Sequence, residues 1–282
     1  MSKPLQCLAN IEENTVLKSL YKTSYLALTG LMLSMSGNAL AEADPKIWPV
    51  IKEAFFANRP IEEADFIQLT APKRAESGAQ VPFSIALDQD KGHAKAIKKI
   101  YVIVDANPIQ LAATYNLTEE LGKFNLSTRI RLETDSFVRA IGETADGKLY
   151  MAAVPIRAAG GCGGIIDADE TAVRASAGKI KMNVESPVKF GAATPATFII
   201  KHPMRTGLQR DLVSQGFLPA FFINKATFTY NDKTVFDVDL NVGTSEDPYL
   251  KFDFVPKEPG ILKVKATDNE GKSFTHEMEV KS

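Results

Sequence analysis

The sequence predicts an all-β protein: two immunoglobulin-like β-sandwich domains joined by a glycine-rich cysteine arm and linker, with a short N-terminal helix. Three observations carry this. From Val81 onward, apolar residues recur at strand-like intervals between turn residues; the segments fall into two series; and the run Gly160-Gly161-Cys162-Gly163-Gly164 separates them. Each series spans roughly 100 residues, the usual size of a domain. The division this implies is 1–41, 42–159, 160–178 and 179–282.

Residues 1–41 read as a secretory signal peptide. Lys18 and Lys22 precede an apolar stretch from Tyr25 to Met35, and Ala39-Leu40-Ala41 offers small residues for cleavage. The apolar stretch is too short for a membrane span, and nothing later approaches the ~18 to 20 apolar residues one needs. The expectation is a soluble, exported chain starting at Glu42, with no membrane partner. The leader takes three of the 33 Lys and Arg and two of the 34 Asp and Glu, leaving a formal charge of about −2. There is no basic stripe, so nucleic-acid binding is not supported.

Next comes a short amphipathic helix. Asp44 can cap it, Pro45 suits its first position, and Trp48, Ile51 and Phe55 fall on one face. Strands are expected at 81–87, 97–105, 123–131, 136–141 and 148–157, divided by turns such as Asp105-Ala106-Asn107-Pro108 and Asp146-Gly147-Lys148. The stretch from Ile165 to Gly178, with Asp167, Asp169, Glu170 and several alanines, has no clear periodicity and reads as a solvated linker. The second series of strands is 195–201, 223–230, 233–240, 249–254, 260–268 and 272–280, with hairpin-like turns at Asn231-Asp232 and Asp268-Asn269-Glu270-Gly271.

The glycine run carries the chemistry. It mounts the Cys162 thiol on Gly160, Gly161, Gly163 and Gly164, a segment able to thread a narrow pocket on another protein as a flexible arm. Each glycine costs roughly 0.5 to 1 kcal/mol relative to alanine wherever the segment is ordered. Cleavage of the leader removes Cys7, so Cys162 stands alone in an oxidising compartment, either as a reactive thiol or paired with another molecule, for instance in a homodimer. Arg157 and Arg174 would favour its thiolate, whereas Asp167, Asp169 and Glu170 would oppose it.

Other signals have plainer readings. His202 shares no metal spacing with His93 or His276 and is read as structural, and no metal is predicted. Asp167, Asp169 and Glu170 lack the glycine turn and distant bidentate glutamate of a calcium loop. Phe217, Phe221 and Phe222 around Pro219 are read as core. There is no Gly-x-Ser-x-Gly motif and no phosphate-binding glycine loop, so hydrolase and nucleotide chemistry lack their parts and no cofactor is expected.

Two sets of motifs resemble known families. Leu69-Thr70-Ala71-Pro72, Glu76-Ser77-Gly78-Ala79-Gln80-Val81-Pro82 and the glycine-cysteine run resemble SoxY. His202-Pro203-Met204-Arg205-Thr206-Gly207-Leu208, Leu218-Pro219-Ala220-Phe221-Phe222-Ile223 and Asp247-Pro248-Tyr249-Leu250-Lys251-Phe252 resemble SoxZ. The chain is thus similar to a fused SoxY-SoxZ sulfur carrier, of the type associated with quinoprotein alcohol dehydrogenases. The resemblance implies a periplasmic protein that performs no turnover. It would bind a sulfur-containing or other thiol-reactive intermediate covalently on Cys162 and present it to periplasmic enzymes. The separate carrier subunit ends at its glycine-cysteine motif, whereas about 118 residues follow Gly164 here, so a free tail has become a tethered loop. The competing class is a non-catalytic adaptor for a quinoprotein dehydrogenase system, in which Cys162 is incidental or forms an intermolecular disulfide.

Overall fold

The computed structural model describes residues 43–166 and 169–282; the expected leader, and Cys7 with it, lies outside them. The Asp44 carboxylate accepts from the Lys46 amide at 2.9 Å and caps a 3-10 turn, Pro45–Ile47, that leads into helix α1, Trp48–Phe56. The expected apolar face is corrected by one residue at its end. Phe56, not Phe55, is buried beside Ile51, because it packs edge-on against Tyr101 with centroids 5.4 Å apart.

The first half continues with β1 (Ile61–Glu63), β2 (Ile67–Thr70), β3 (Val81–Leu87), β4 (Ile97–Val104), β5 (Leu111–Leu117), β6 (Asn125–Ile130), β7 (Ser136–Thr144) and β8 (Leu149–Ile156). Past the glycine run come β9 (Gly164–Ile166), helix α2 (Glu170–Ser176), β10 (Ile180–Val184), β11 (Thr194–Ile200) and β12 (Gln209–Asp211). The last strands are β13 (Ile223–Tyr230), β14 (Lys233–Leu240), β15 (Tyr249–Phe254), β16 (Gly260–Asp268) and β17 (Ser273–Val280). Apolar residues alternate as a half-buried strand requires: in β3, Val81, Phe83, Ile85 and Leu87 all point inward.

Both halves are β-sandwiches, yet they are not separate beads. One sheet of nine strands runs β1-β8-β7-β4-β5-β14-β13-β16-β17, and one of six runs β10-β11-β15-β6-β3-β2. Each sheet crosses from the first half to the second. In one, β5 pairs antiparallel with β14 from Leu117↔Phe236 to Ala113↔Leu240; in the other, β6 pairs with β15 from Thr128↔Leu250 to Leu126↔Phe252. Edge strands that would expose unpaired amides thereby satisfy one another. Glu42–Ser282 is accordingly one compact unit. Its core is one cluster that draws buried residues from both halves; within the second half, Phe228 stacks on Phe236 at 4.7 Å and meets Phe252 edge-on at 5.0 Å.

The described part of the segment read as a solvated linker, residues 165–166 and 169–178, is folded, and Asp167 lies outside the described residues. Asp169 accepts from the amides of Thr171 and Ala172 and so caps α2, and Glu170 accepts from Arg205 at 2.6 Å. Phe217 also departs from its core reading: it is 62% exposed, whereas Phe221 is buried.

The continuous sheets make a prediction. Trp48, the sole tryptophan, packs in the first half under Arg139, whose guanidinium carbon lies 4.2 Å from its ring centroid. Phe228→Ala, in the second half, should cost about 3 to 5 kcal/mol. The urea midpoint read from Trp48 fluorescence should fall with it. Independently unfolding halves would leave that midpoint in place.

Candidate functional site

The site forms where the end of β6 meets the loop between β11 and β12. Past β6 the backbone is held by Asn107, whose Nδ2 donates to the Arg131 carbonyl at 2.7 Å and whose Oδ1 accepts from the Glu133 amide at 2.9 Å. This brace fixes the stretch that carries Arg131 and Glu133. The glycine run then lies against it. The Gly160 amide donates to the Glu133 carbonyl at 2.8 Å, and the Gly161 amide to the Leu132 carbonyl at 3.0 Å.

Cys162 is gripped from both halves. Its amide donates to Glu133 Oε2 at 2.7 Å, and its carbonyl accepts from Thr206 Oγ1 at 2.7 Å. Thr206 is itself set by its amide donating to Gln209 Oε1 at 3.0 Å. Downstream, β9 pairs in parallel with β12, Gly164 opposite Gln209 and Ile166 opposite Asp211. Two local needs for glycine appear in the run. Gly160 and Gly164 have positive φ, and a Cβ on Gly161 would come within 2.2 Å of the Gly78 carbonyl oxygen.

The expected flexible arm is therefore a docked loop in this structure, and Cys162 is only 5% exposed. Burial, reinforced by the Glu133 carboxylate and opposed by Arg131, pushes the thiol pKa up to about 11 from its ordinary 9.0. The sulfur is held neutral at physiological pH. Arg157 and Arg174, expected near it, are engaged elsewhere: Arg157 Nε lies 3.6 Å from Asp135, and Arg174 pairs with Glu270 at 2.8 Å. The charges that act on the sulfur, Arg131 and Glu133, were not singled out from sequence. Both lie just past the end of β6, and nothing in sequence says that this stretch meets a loop some 30 residues on.

His202 is buried at the same junction. Its Nδ1 accepts from the Met204 amide at 3.3 Å, its ring lies 4.3 Å from Phe221, and burial pushes its pKa down to about 4, so the ring is neutral. It borders a cleft of about 190 Å3 under α2, alongside Ile166, Val173, Arg205 and Asp247. A second cleft of about 440 Å3 opens beside the residues that precede the glycine run, lined by Arg74, Glu76, Gly78, Asp135, Arg157 and Ala159. Cys162 lines neither. Among the described residues no cluster of ligating side chains could hold a metal ion, and no helix is long and apolar enough to cross a membrane.

The fold and site define a class: a double β-sandwich with one buried cysteine on a glycine loop clamped between its halves. The family described as sulfur oxidation protein SoxY matches residues 52–162, ending at the cysteine, and that described as sulphur oxidation protein SoxZ matches residues 180–279. The chain therefore belongs to these families in tandem, as a fused SoxY-SoxZ-like carrier. Residues 163–179, which hold β9 and α2, fall between the matches. No curated protein matches the chain. Among solved structures it is similar to the sulfur carrier protein SoxY from Chlorobium limicola f thiosulfatophilum, with 26% identity, a TM-score of 0.34 and coverage of 40% of this chain and 91% of that one. A superoxide reductase (neelaredoxin) from Ignicoccus hospitalis is similar at 15% identity and a TM-score of 0.29, over 38% of this chain and 82% of that one.

Two outcomes follow for the thiol. A group whose pKa is raised on docking stabilises the docked loop fully below its free value and loses that contribution as pH rises through the docked value. Docking should thus hold below pH 9 and weaken toward pH 11, so iodoacetamide alkylation of the folded protein should titrate near 11 and that of the urea-unfolded chain near 9. Thr206→Val removes one grip and Gly161→Ala forces the loop off its seat. Each should speed alkylation at pH 8 several-fold, measured by intact mass over time.

Proposed function

We propose that this protein is a periplasmic carrier that holds a sulfur-containing or other thiol-reactive intermediate covalently on Cys162 and presents it to partner enzymes, without turnover of its own. The supporting observation is that the SoxY match ends on Cys162 while a SoxZ-half side chain, Thr206, grips that same residue. Cys162 is the attachment point, Gly160, Gly161, Gly163 and Gly164 are the joints of the loop, and the SoxZ half is its latch. Presentation requires the loop to leave its seat. The direct hold is two backbone hydrogen bonds and the two grips on Cys162, each worth about 0.5 to 3 kcal/mol net, so release need not unfold a sandwich. While the loop is docked the thiol is protonated and shielded, which suits an unpaired cysteine in an oxidising compartment.

The burial of Cys162 also favours a second reading. A non-catalytic adaptor for a periplasmic quinoprotein dehydrogenase system would use the sandwich surface alone and leave the cysteine inside. The two part on one experiment. Intact mass of the protein from its native periplasm should show an adduct on the wild type that reductant removes and that is missing in Cys162→Ser. A bare mass throughout, with the dehydrogenase bound equally by both forms, would establish the adaptor instead.

A further inference from the structure

The helix beyond the cysteine loop is held down by charge rather than by a buried face. α2 buries none of its seven residues, and three residues part it from β9. Its Glu170 accepts at 2.6 Å from Arg205, the neighbour of Thr206, whose hydroxyl grips Cys162. One turn on, Arg174 pairs at 2.8 Å with Glu270 in the turn between β16 and β17, and its guanidinium carbon lies 4.3 Å from the Phe221 ring centroid. Phe221 and Arg205 are themselves bridged: the Arg205 amide donates to the Phe221 carbonyl at 2.7 Å, and the Phe221 amide to the Arg205 carbonyl at 3.1 Å. Both of the helix's ion pairs thus bear on the bridge that backs the grip on Cys162.

What lies beneath α2 favours its release. His202 is 1% exposed and borders the cleft that Val173 and Ser176 of the helix also line. Its Nδ1 accepts from the Met204 amide, so the proton of the neutral ring sits on Nε2, and that buried donor has no acceptor among the described residues. An orphaned donor is a standing cost that water removes once the cover lifts. A helix of seven residues is not stable by itself in water, so leaving the surface means melting.

We infer that α2 is a charge-held strap that regulates how far the cysteine loop can travel. Seated, it anchors the chain just past β9 and confines lifting to the short loop. Melted, it leaves β9 on its three pairs with β12 alone, and the chain can lift from Ala158 as far as Gly178, whose amide donates to the Lys201 carbonyl at 2.7 Å. The strap's residues fall between the two family matches, so it is a device of the joined chain and of neither half. This rests on, and deepens, the reading of Cys162 as the group presented to partners. Salt screens the two ion pairs and releases the strap, whereas apolar packing is not weakened by salt.

Alkylation of Cys162 by iodoacetamide, an uncharged reagent, tests this at pH 8, with each rate divided by that of the urea-unfolded chain at the same salt. Raising NaCl from about 0.05 M to about 1 M should speed alkylation of the folded wild type about threefold. Arg174→Gln should speed it about fivefold at low salt and flatten the salt response. Thr206→Val, which removes an uncharged grip, should speed it while keeping the wild-type salt response. Thr171→Ala, at an exposed position of α2, raises helix propensity and should slow alkylation about twofold. Unfolding cannot produce that direction, which keeps the test valid should Arg174→Gln fail to fold. Alkylation unmoved or slowed by salt, unmoved in Arg174→Gln with native Trp48 fluorescence, or not slowed in Thr171→Ala overturns the strap. Iodoacetamide needs neither partner nor cargo, so a bare mass from the periplasm sinks the carrier reading, whereas a flat salt response in the wild type sinks this one. The two failures are therefore separate results.

Discussion

The pairing of β5 with β14 and of β6 with β15 is the constraint on which the rest depends. Each half alone would end in open strand edges, and the two sets of edges close on each other in both layers at once. One buried core then runs through both halves, and Phe228, Phe236 and Phe252 form an aromatic cluster on the second half's side of it. Small sliding at such a seam is blocked, because a one-residue slip in either sheet would turn every inward side chain outward. The end of β6 and the loop after β11 are therefore held in fixed relation. That relation creates the cysteine site.

The chemistry of Cys162 follows from its burial in that seam. A reactive cysteine is ordinarily made so by nearby positive charge and partial exposure. Here one cation, Arg131, acts against a carboxylate and a dry environment, and the thiol stays protonated. Docking and reactivity are thus opposed: the sequence of contacts that seats the loop also silences the sulfur. In the proposed carrier, leaving the seat would restore exposure and an ordinary thiol in one movement. Thr206 and Glu133 lie one on each half, so the loop reads the integrity of the whole molecule.

The fold class was legible because long amphipathic strands such as β3, β13 and β16 repeat every second residue over seven or more positions. What escaped was of three kinds. β5 is central and buried on small residues, Ala112 and Ala113, whose composition carries no strand preference. Of the short strands that escaped, β1, β9 and β12 exist only through partners distant in sequence, and the edge strands β2 and β10 have too few positions to show alternation. The segment before Gly178 lacks apolar periodicity because α2 is held by a cap at Asp169 and an ion pair to Arg205 instead of by a buried face. The same logic hid half of the site. Cys162 stands out through its glycines, whereas Arg131 and Glu133 look like ordinary charged residues at the end of a strand and act on the thiol only because the loop docks beside them.

Tethering both ends of the loop limits how far the cysteine can travel. Arg157 is fixed by a parallel bridge to Arg74, and Gly164 opens β9, so only residues 158–163 are free to lift while β9 stays paired. At about 3.3 to 3.6 Å per extended residue, a six-residue loop anchored at both ends projects roughly 10 Å, half its contour. A free tail of the same length would reach twice as far and pass as a single strand. If β9 peels from β12 the loop runs on to the capped start of α2 at Asp169, and the projection roughly doubles. A partner with a shallow active site can be served by the short loop, whereas a deep one requires β9 to detach. On the proposed carrier reading, the three backbone pairs of β9 with β12 would set which depth of active site the cysteine could enter.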